Sequence, residues 1–289
     1  MELQWPLLLF TTFLAWCAGT FSTQAYVAIK GKGESIQMEA WVVSAVLLVI
    51  SGIAVFLHLQ HWERIFNGFG HITSGITQEL IAIVVLAVIA VVYLAQIRRH
   101  EGKIATWVAV LAIVACVVLL IVCGHSYMMP ARPAWDSVLW IASIIGAACV
   151  LGPATVAVIA AVKGVEIDGL GRLVLIGAIV SAVTALAASL SIFAASGAIA
   201  DVGWYYDLTH PTKPILTPEL NPFSKDAMPY MVVGVILVGA VGTILTAFLG
   251  NKSGKWKVWG AAVVLCAFVG AIALRAVFYV SGVSMFMFY

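Results

Sequence analysis

The sequence predicts an all-α integral membrane protein of eight transmembrane helices, with both termini outside the cytoplasm. Three observations predict it: the composition, eight long apolar runs, and the uneven placement of Lys and Arg between them. Of 289 residues, 63% are apolar and 10% charged, against about 25% charged in soluble domains, and the mean hydropathy is +1.09. One helical crossing takes about 20 apolar residues. The chain therefore supplies about eight crossings and leaves no separate soluble domain, so residues 1–289 are read as one transmembrane unit. A formal charge of +2 without a clustered basic surface excludes a nucleic-acid binder. The partners expected are the lipid bilayer, other subunits and apolar ligands.

The first run, 5–29, follows a single charge, Glu2, and is longer than the apolar region of a secretory signal, so it reads as the first span. The others fall at 40–60, 77–97, 104–123, 136–162, 170–198, 228–250 and 257–282. They are too long and unbroken for the alternating strands of an outer-membrane barrel. Trp5, Trp41, Trp107, Trp135, Trp140, Trp256 and Trp259 stand at or near their ends, where indoles settle at the headgroup level. Gly152-Pro153 marks a kink in the fifth run. Ser181, Ala185 and Ser189 give the sixth a small-residue face suited to close packing. No internal sequence repeat is evident. Cys17, Cys116, Cys123, Cys149 and Cys266 all sit in apolar runs, and no two are spaced C-x-x-C. They read as packing residues, with no iron–sulfur or metal site expected.

Four connections, 1–2, 3–4, 5–6 and 7–8, carry Lys30, Lys32, Arg98, Arg99, Lys103, Lys163, Arg172, Lys252, Lys255 and Lys257. The opposite side carries only Arg64, Arg132, Lys213 and Lys225, and Arg275 lies inside the last run. Because positively charged loops stay in the cytoplasm, this bias puts the termini and the 2–3, 4–5 and 6–7 loops outside, in a multi-pass protein of the cytoplasmic (inner) membrane. The outer loops are also the long ones, where function concentrates. The 6–7 loop holds Pro211, Pro214, Pro218 and Pro222.

Ionisable residues converge on that outer side. His58, His61 and Arg64 end the second run, Glu79 opens the third, His125, Tyr127 and Arg132 follow the fourth, and Arg275 and Tyr279 lie near the end of the eighth. His58 and Glu79 are separated by one loop and are expected to meet. Charged groups at membrane depth are costly and mark function, whereas His100 and His210 read as solvated. Such a ring suits a ligand with an apolar tail and a protonatable head, which describes a quinone. Oxidising a quinol releases two protons and two electrons. His58 would accept the proton, as an imidazole titrates near neutrality, and Glu79 would pass it outward. His61, Arg64, His125, Tyr127, Arg132, Arg275 and Tyr279 would shape the pocket. With no haem or cluster site evident, the electrons need a docked redox partner. A secondary transporter, a haem b anchor and a structural tether are the competing readings.

Several motifs are similar to one family. His58-Leu59, Arg64, Phe66-Asn67, Ser74, Thr77 and Glu79 resemble the H-L-x4-R-x-F-N…S-x2-S-x-E stretch of DmsC-type anchor subunits of dimethyl sulfoxide reductase. Trp5-Pro6-Leu7 with Phe10-Thr11, Tyr127 to Trp135, Gly152-Pro153 and Arg275 to Tyr279 resemble further motifs of that family, in order. Gln60 replaces its usual Gly, His61 is additional, and Ala271 stands where an acid is common. The resemblance implies an anchor that oxidises menaquinol for anaerobic respiration. It implies as partners a four-cluster iron–sulfur subunit and a molybdopterin catalytic subunit, no haem or iron–sulfur cluster in this chain, and His58 and Glu79 at the quinol site. The Pro-rich outer loop is then expected to dock the iron–sulfur partner.

Overall fold

A computed structural model describes residues 3–58, 70–198 and 221–283. Among these residues eight helices are long and apolar enough to cross a membrane. They are α1 (Trp5–Ile29), α2 (Gln37–His58, entered through a 3-10 turn at Glu34–Ile36), α3 (Gly75–Arg99), α4 (Thr106–Ser126), α5 (Val138–Lys163), α6 (Leu170–Ala194), α7 (Pro229–Ser253) and α8 (Trp256–Val280). The protein is an all-α, eight-span membrane protein, and each expected apolar run lies on one of these helices. The first part of α7, Pro229–Gly242, is wound as a π-helix before the α-helical Thr243–Ser253.

The least apolar span is among the most buried, and the least buried span is among the most apolar. The window of α1 has the lowest hydropathy, 1.3, yet is 67% buried, whereas that of α3 reaches 2.9 and is 22% buried. Lipid demands apolar side chains of a helix it touches. A helix wrapped by others can keep polar ones if they find partners. Thus α1 holds Thr11, Thr12, Thr20, Thr23 and Gln24 inside the protein, and the hydroxyls of Thr12, Thr20 and Thr23 donate to carbonyls one turn back. Outward, α2 presents Val46, Val49, Ile53 and Leu57.

The helices pair in two groups of four. In the first, α1 packs on α2 and α4, and α3 on α4; in the second, α5 packs on α6 and α8, and α7 on α8. This shared pairing scheme was not visible as a sequence repeat. Helices α1 and α5 join the groups through Gly19 and Gly152, where a Cβ on Gly152 would overlap the Gly19 carbonyl. The observed role of Gly152 is thus close approach, and α5 continues as one helix through Pro153. Gly239 and Gly270 do the same for α7 and α8. At the basic end, Lys32 pairs with Asp168 at 2.8 Å and Lys163 with Glu39, tying the two groups together.

Candidate functional site

At the opposite end, five helices bring polar and aromatic groups to one buried place. Glu79 lies in the second turn of α3, only 7% exposed, because the exposed face of α3 is given to Ile76, Val84, Val85 and Val88. Its carboxylate accepts a hydrogen bond from the Ser126 hydroxyl, which also donates to the carbonyl of Cys123. Ser126 closes α4, and Gly75, at the start of α3, lies against it: a Cβ there would meet the Ser126 Cβ at 2.7 Å.

The segment after α4 folds back over the end of α8. Trp135 Nε1 donates to the Phe278 carbonyl at 2.7 Å, and Arg132 donates to the Gly282 carbonyl. Phe278 is stacked between two indoles, 4.6 Å from Trp135 and 3.7 Å from Trp140. The Arg132 guanidinium lies 4.5 Å over Trp135. Tyr127 meets Trp135, Phe278 and Tyr279 edge-on. Burial, with the neighbouring Tyr279 and Glu79, holds the Tyr127 phenol well above its ordinary pKa, so it is a neutral O–H group.

Arg275 is 1% exposed, on the same face of α8 as Tyr279. Its Nε donates to Thr11 Oγ1 at 2.7 Å, Nη2 to the Thr11 carbonyl at 3.1 Å and Nη1 to the Ala271 carbonyl at 3.0 Å. All three acceptors are neutral, and the guanidinium faces the Trp140 ring at 5.9 Å. Beside it lies a cavity of about 20 Å³ reached by Ser143 and Ser181, room for one water. Trp140 Nε1 is buried without a protein hydrogen-bond partner, and a buried donor left unpaired costs about 1–3 kcal/mol.

Of the residues predicted for the site, the fold gathers Glu79, Tyr127, Arg132, Arg275 and Tyr279. His58 is exposed at the end of α2 and His125 at the end of α4. The expected meeting of His58 with Glu79 differs in the structure: α2 and α3 scarcely touch, and Glu79 bonds Ser126 instead. His61, Arg64 and residues 199–220 of the Pro-rich loop lie outside the described residues. Sequence reasoning missed Ser126, Thr11 and Phe278, and it read Trp140 only as an interface anchor. The available signal for Ser126 was a hydroxyl standing between His125 and Tyr127, two residues already assigned to the site.

No family model and no curated protein matches the chain. Among solved structures, its fold is similar to that of the bd oxidase from Geobacillus thermodenitrificans, with a TM-score of 0.52 and 14% identity, covering 99% of this chain and 88% of that one. Likeness at this identity speaks for the fold. It overturns the resemblance to DmsC-type anchors of dimethyl sulfoxide reductase, and with it the iron–sulfur and molybdopterin partners and the anaerobic role inferred from them. The physical reason is that the matching motifs were short groups of Trp, Pro, Arg and His at helix ends, which interfacial anchoring alone favours in a helical membrane protein.

The expectation of a chain without haem, which the resemblance to DmsC-type anchors implied, is overturned with it. Paired axial imidazoles on facing helices are one way to hold haem b. Among the described residues His58, His71, His100 and His125 are all exposed at or beyond helix ends.

Proposed function

We propose that the chain is a quinol-oxidising subunit of a respiratory electron-transport complex in the cytoplasmic membrane, working at the Glu79–Ser126 cluster. The observation that supports this most is a buried carboxylate, Glu79, held by Ser126 and neighbouring Tyr127 at one end of an apolar bundle. A quinol head that reaches this end of the bundle gives its hydroxyl proton to Glu79, whose carboxylate is held in place by Ser126. A positioned general base of this kind contributes about 10²–10⁴-fold. Arg275, charged and without a carboxylate partner, stabilises negative charge that develops on the oxygen as the proton leaves. His58, exposed at the same end, takes the proton onward to the outer side.

The electrons pass to a haem-bearing partner subunit, a reading supported by the bd-oxidase-like fold. A haem held by this chain is a second reading that the same fold favours; it calls for a haem absorption band that disappears in His58→Ala or His125→Ala. The quinol reading is tested with a photoreactive quinone analogue on the purified complex. Label is expected on peptides containing Ser126–Trp140 or Arg275–Gly282. Label confined to the Lys30–Lys32 and Lys252–Lys257 turns would contradict it.

A further inference from the structure

The other end of the bundle carries a second binding feature. A cleft of about 610 Å³ opens between the α5–α6 and α7–α8 turns, about 28 Å along α8 from Arg275 at the helical rise per residue. Its floor is apolar, formed by Ala157, Ala160 and Ala161 of α5 with Leu170 of α6, and its rim carries Lys255, Lys257, Glu166 and Asp168. Asp168 is engaged by Lys32. The side chains of Lys255, Lys257 and Glu166 are exposed and have no hydrogen-bond or ion-pair partner among the described residues. One wall is the Trp256 ring, which a Cβ on Gly171 or Gly250 would meet at 2.7 Å.

An apolar floor beside the exposed Val258 of a transmembrane helix, under a rim of separated charges, is complementary to a phospholipid rather than to a free ion. Two lysines and one carboxylate match a phosphate next to an ammonium. We propose that this cleft binds one phospholipid with a primary-amine head group, its phosphate between Lys255 and Lys257 and its ammonium on Glu166. The acyl chains leave past Val258 of α8, which lines the cleft and is exposed. Phosphatidylglycerol supplies the phosphate but sets an uncharged glycerol, not a cation, against Glu166. A choline head has no N–H to donate to that carboxylate, and free phosphate leaves the floor uncovered.

The test uses the full chain with its native partners in nanodiscs of equal parts phosphatidylethanolamine, phosphatidylglycerol and phosphatidylcholine. The lipid retained after re-extraction in mild detergent is then counted by mass spectrometry. Phosphatidylethanolamine is expected to be retained above its share. At the usual strength of a lysine–lipid attraction, the Lys255→Gln, Lys257→Gln double variant should weaken retention about thirtyfold, and the corresponding Arg variant should restore it. Glu166→Gln should keep a phospholipid bound but abolish the preference for the amine. Retention in proportion to the bulk mixture, an unchanged double variant, an unchanged preference in Glu166→Gln, or displacement by inorganic phosphate alone would each overturn the proposal.

Discussion

Arg275 shows most clearly how a single residue separates stability from function. Three neutral acceptors hold it, and hydrogen bonds to a charged group are worth about 1.5–3 kcal/mol each. Against this stands the desolvation of an unpaired charge at membrane depth, which is of comparable or greater size. Arg275→Met is therefore expected to leave the thermal midpoint of the complex unchanged or higher while quinol-dependent turnover falls; loss of the folded bundle with no specific loss of turnover per assembled complex would contradict that. Gln24 provides a control at the other end of α1. Both polar atoms of its side chain are buried and unpartnered, so Gln24→Leu should be neutral or stabilising, with turnover intact. Sequence reading found Arg275 and Glu79 because a charge in an apolar run is visible in one dimension. It paired Glu79 with the wrong neighbour because proximity in sequence suggested His58, whereas the partner Ser126 arrives on α4, which packs on α3 more closely than α2 does. Being exposed, His58 should tolerate substitution by Ala with a smaller loss of turnover than Glu79→Gln produces.

Among the elements, the α1–α5 crossing sets the geometry on which the site depends, since α1 supplies Thr11 and α5 supplies Trp140. With backbone against backbone at Gly19 and Gly152, no side chain can move aside. Gly152→Val should cost more than the roughly 1–3 kcal/mol typical of overpacking and sharply lower the amount of assembled protein in the membrane. Normal accumulation would show that the helices are not in contact there. The turns respond to pH instead. The Lys32 ammonium holds the exposed Asp168 carboxyl below its ordinary pKa. A depressed folded-state pKa gives stability that is present above the unfolded value, about 3.9, and is lost as pH falls through the folded value. Asp168→Asn should thus be slightly less stable than the parent near pH 7 and no different once the pH is below both values, as read from thermal midpoints. The span positions were legible because bilayer thickness imposes length and apolarity on the sequence. Which spans lie at the centre was legible only as the lower hydropathy of α1, a signal that also fits a poorer membrane helix.

At the scale of the whole molecule, two groups of four helices share one pairing scheme and meet at α1 and α5. The candidate site lies where α1, α3 and α4 of the first group come against α5 and α8 of the second. Its two ends differ in chemistry: one basic, with short turns, the other aromatic and carboxylate-bearing. By the positive-inside rule the excess of Lys and Arg is expected to put the basic end in the cytoplasm. A reporter inserted between Arg99 and Lys103 should accordingly behave as cytoplasmic, and an exported one there would reverse the direction in which protons leave. Family membership was the least legible property, because helix-end motifs report the membrane interface as much as descent. The central claim is that Glu79 takes the quinol proton, and the most direct measurement is quinol-dependent turnover of the Glu79→Gln complex beside its turnover with an artificial donor that bypasses the quinol. The account predicts a loss of about 10²–10⁴-fold with quinol and parent-like activity with the bypassing donor. Quinol turnover within about threefold of the parent, far less than the loss of a general base produces, would contradict it.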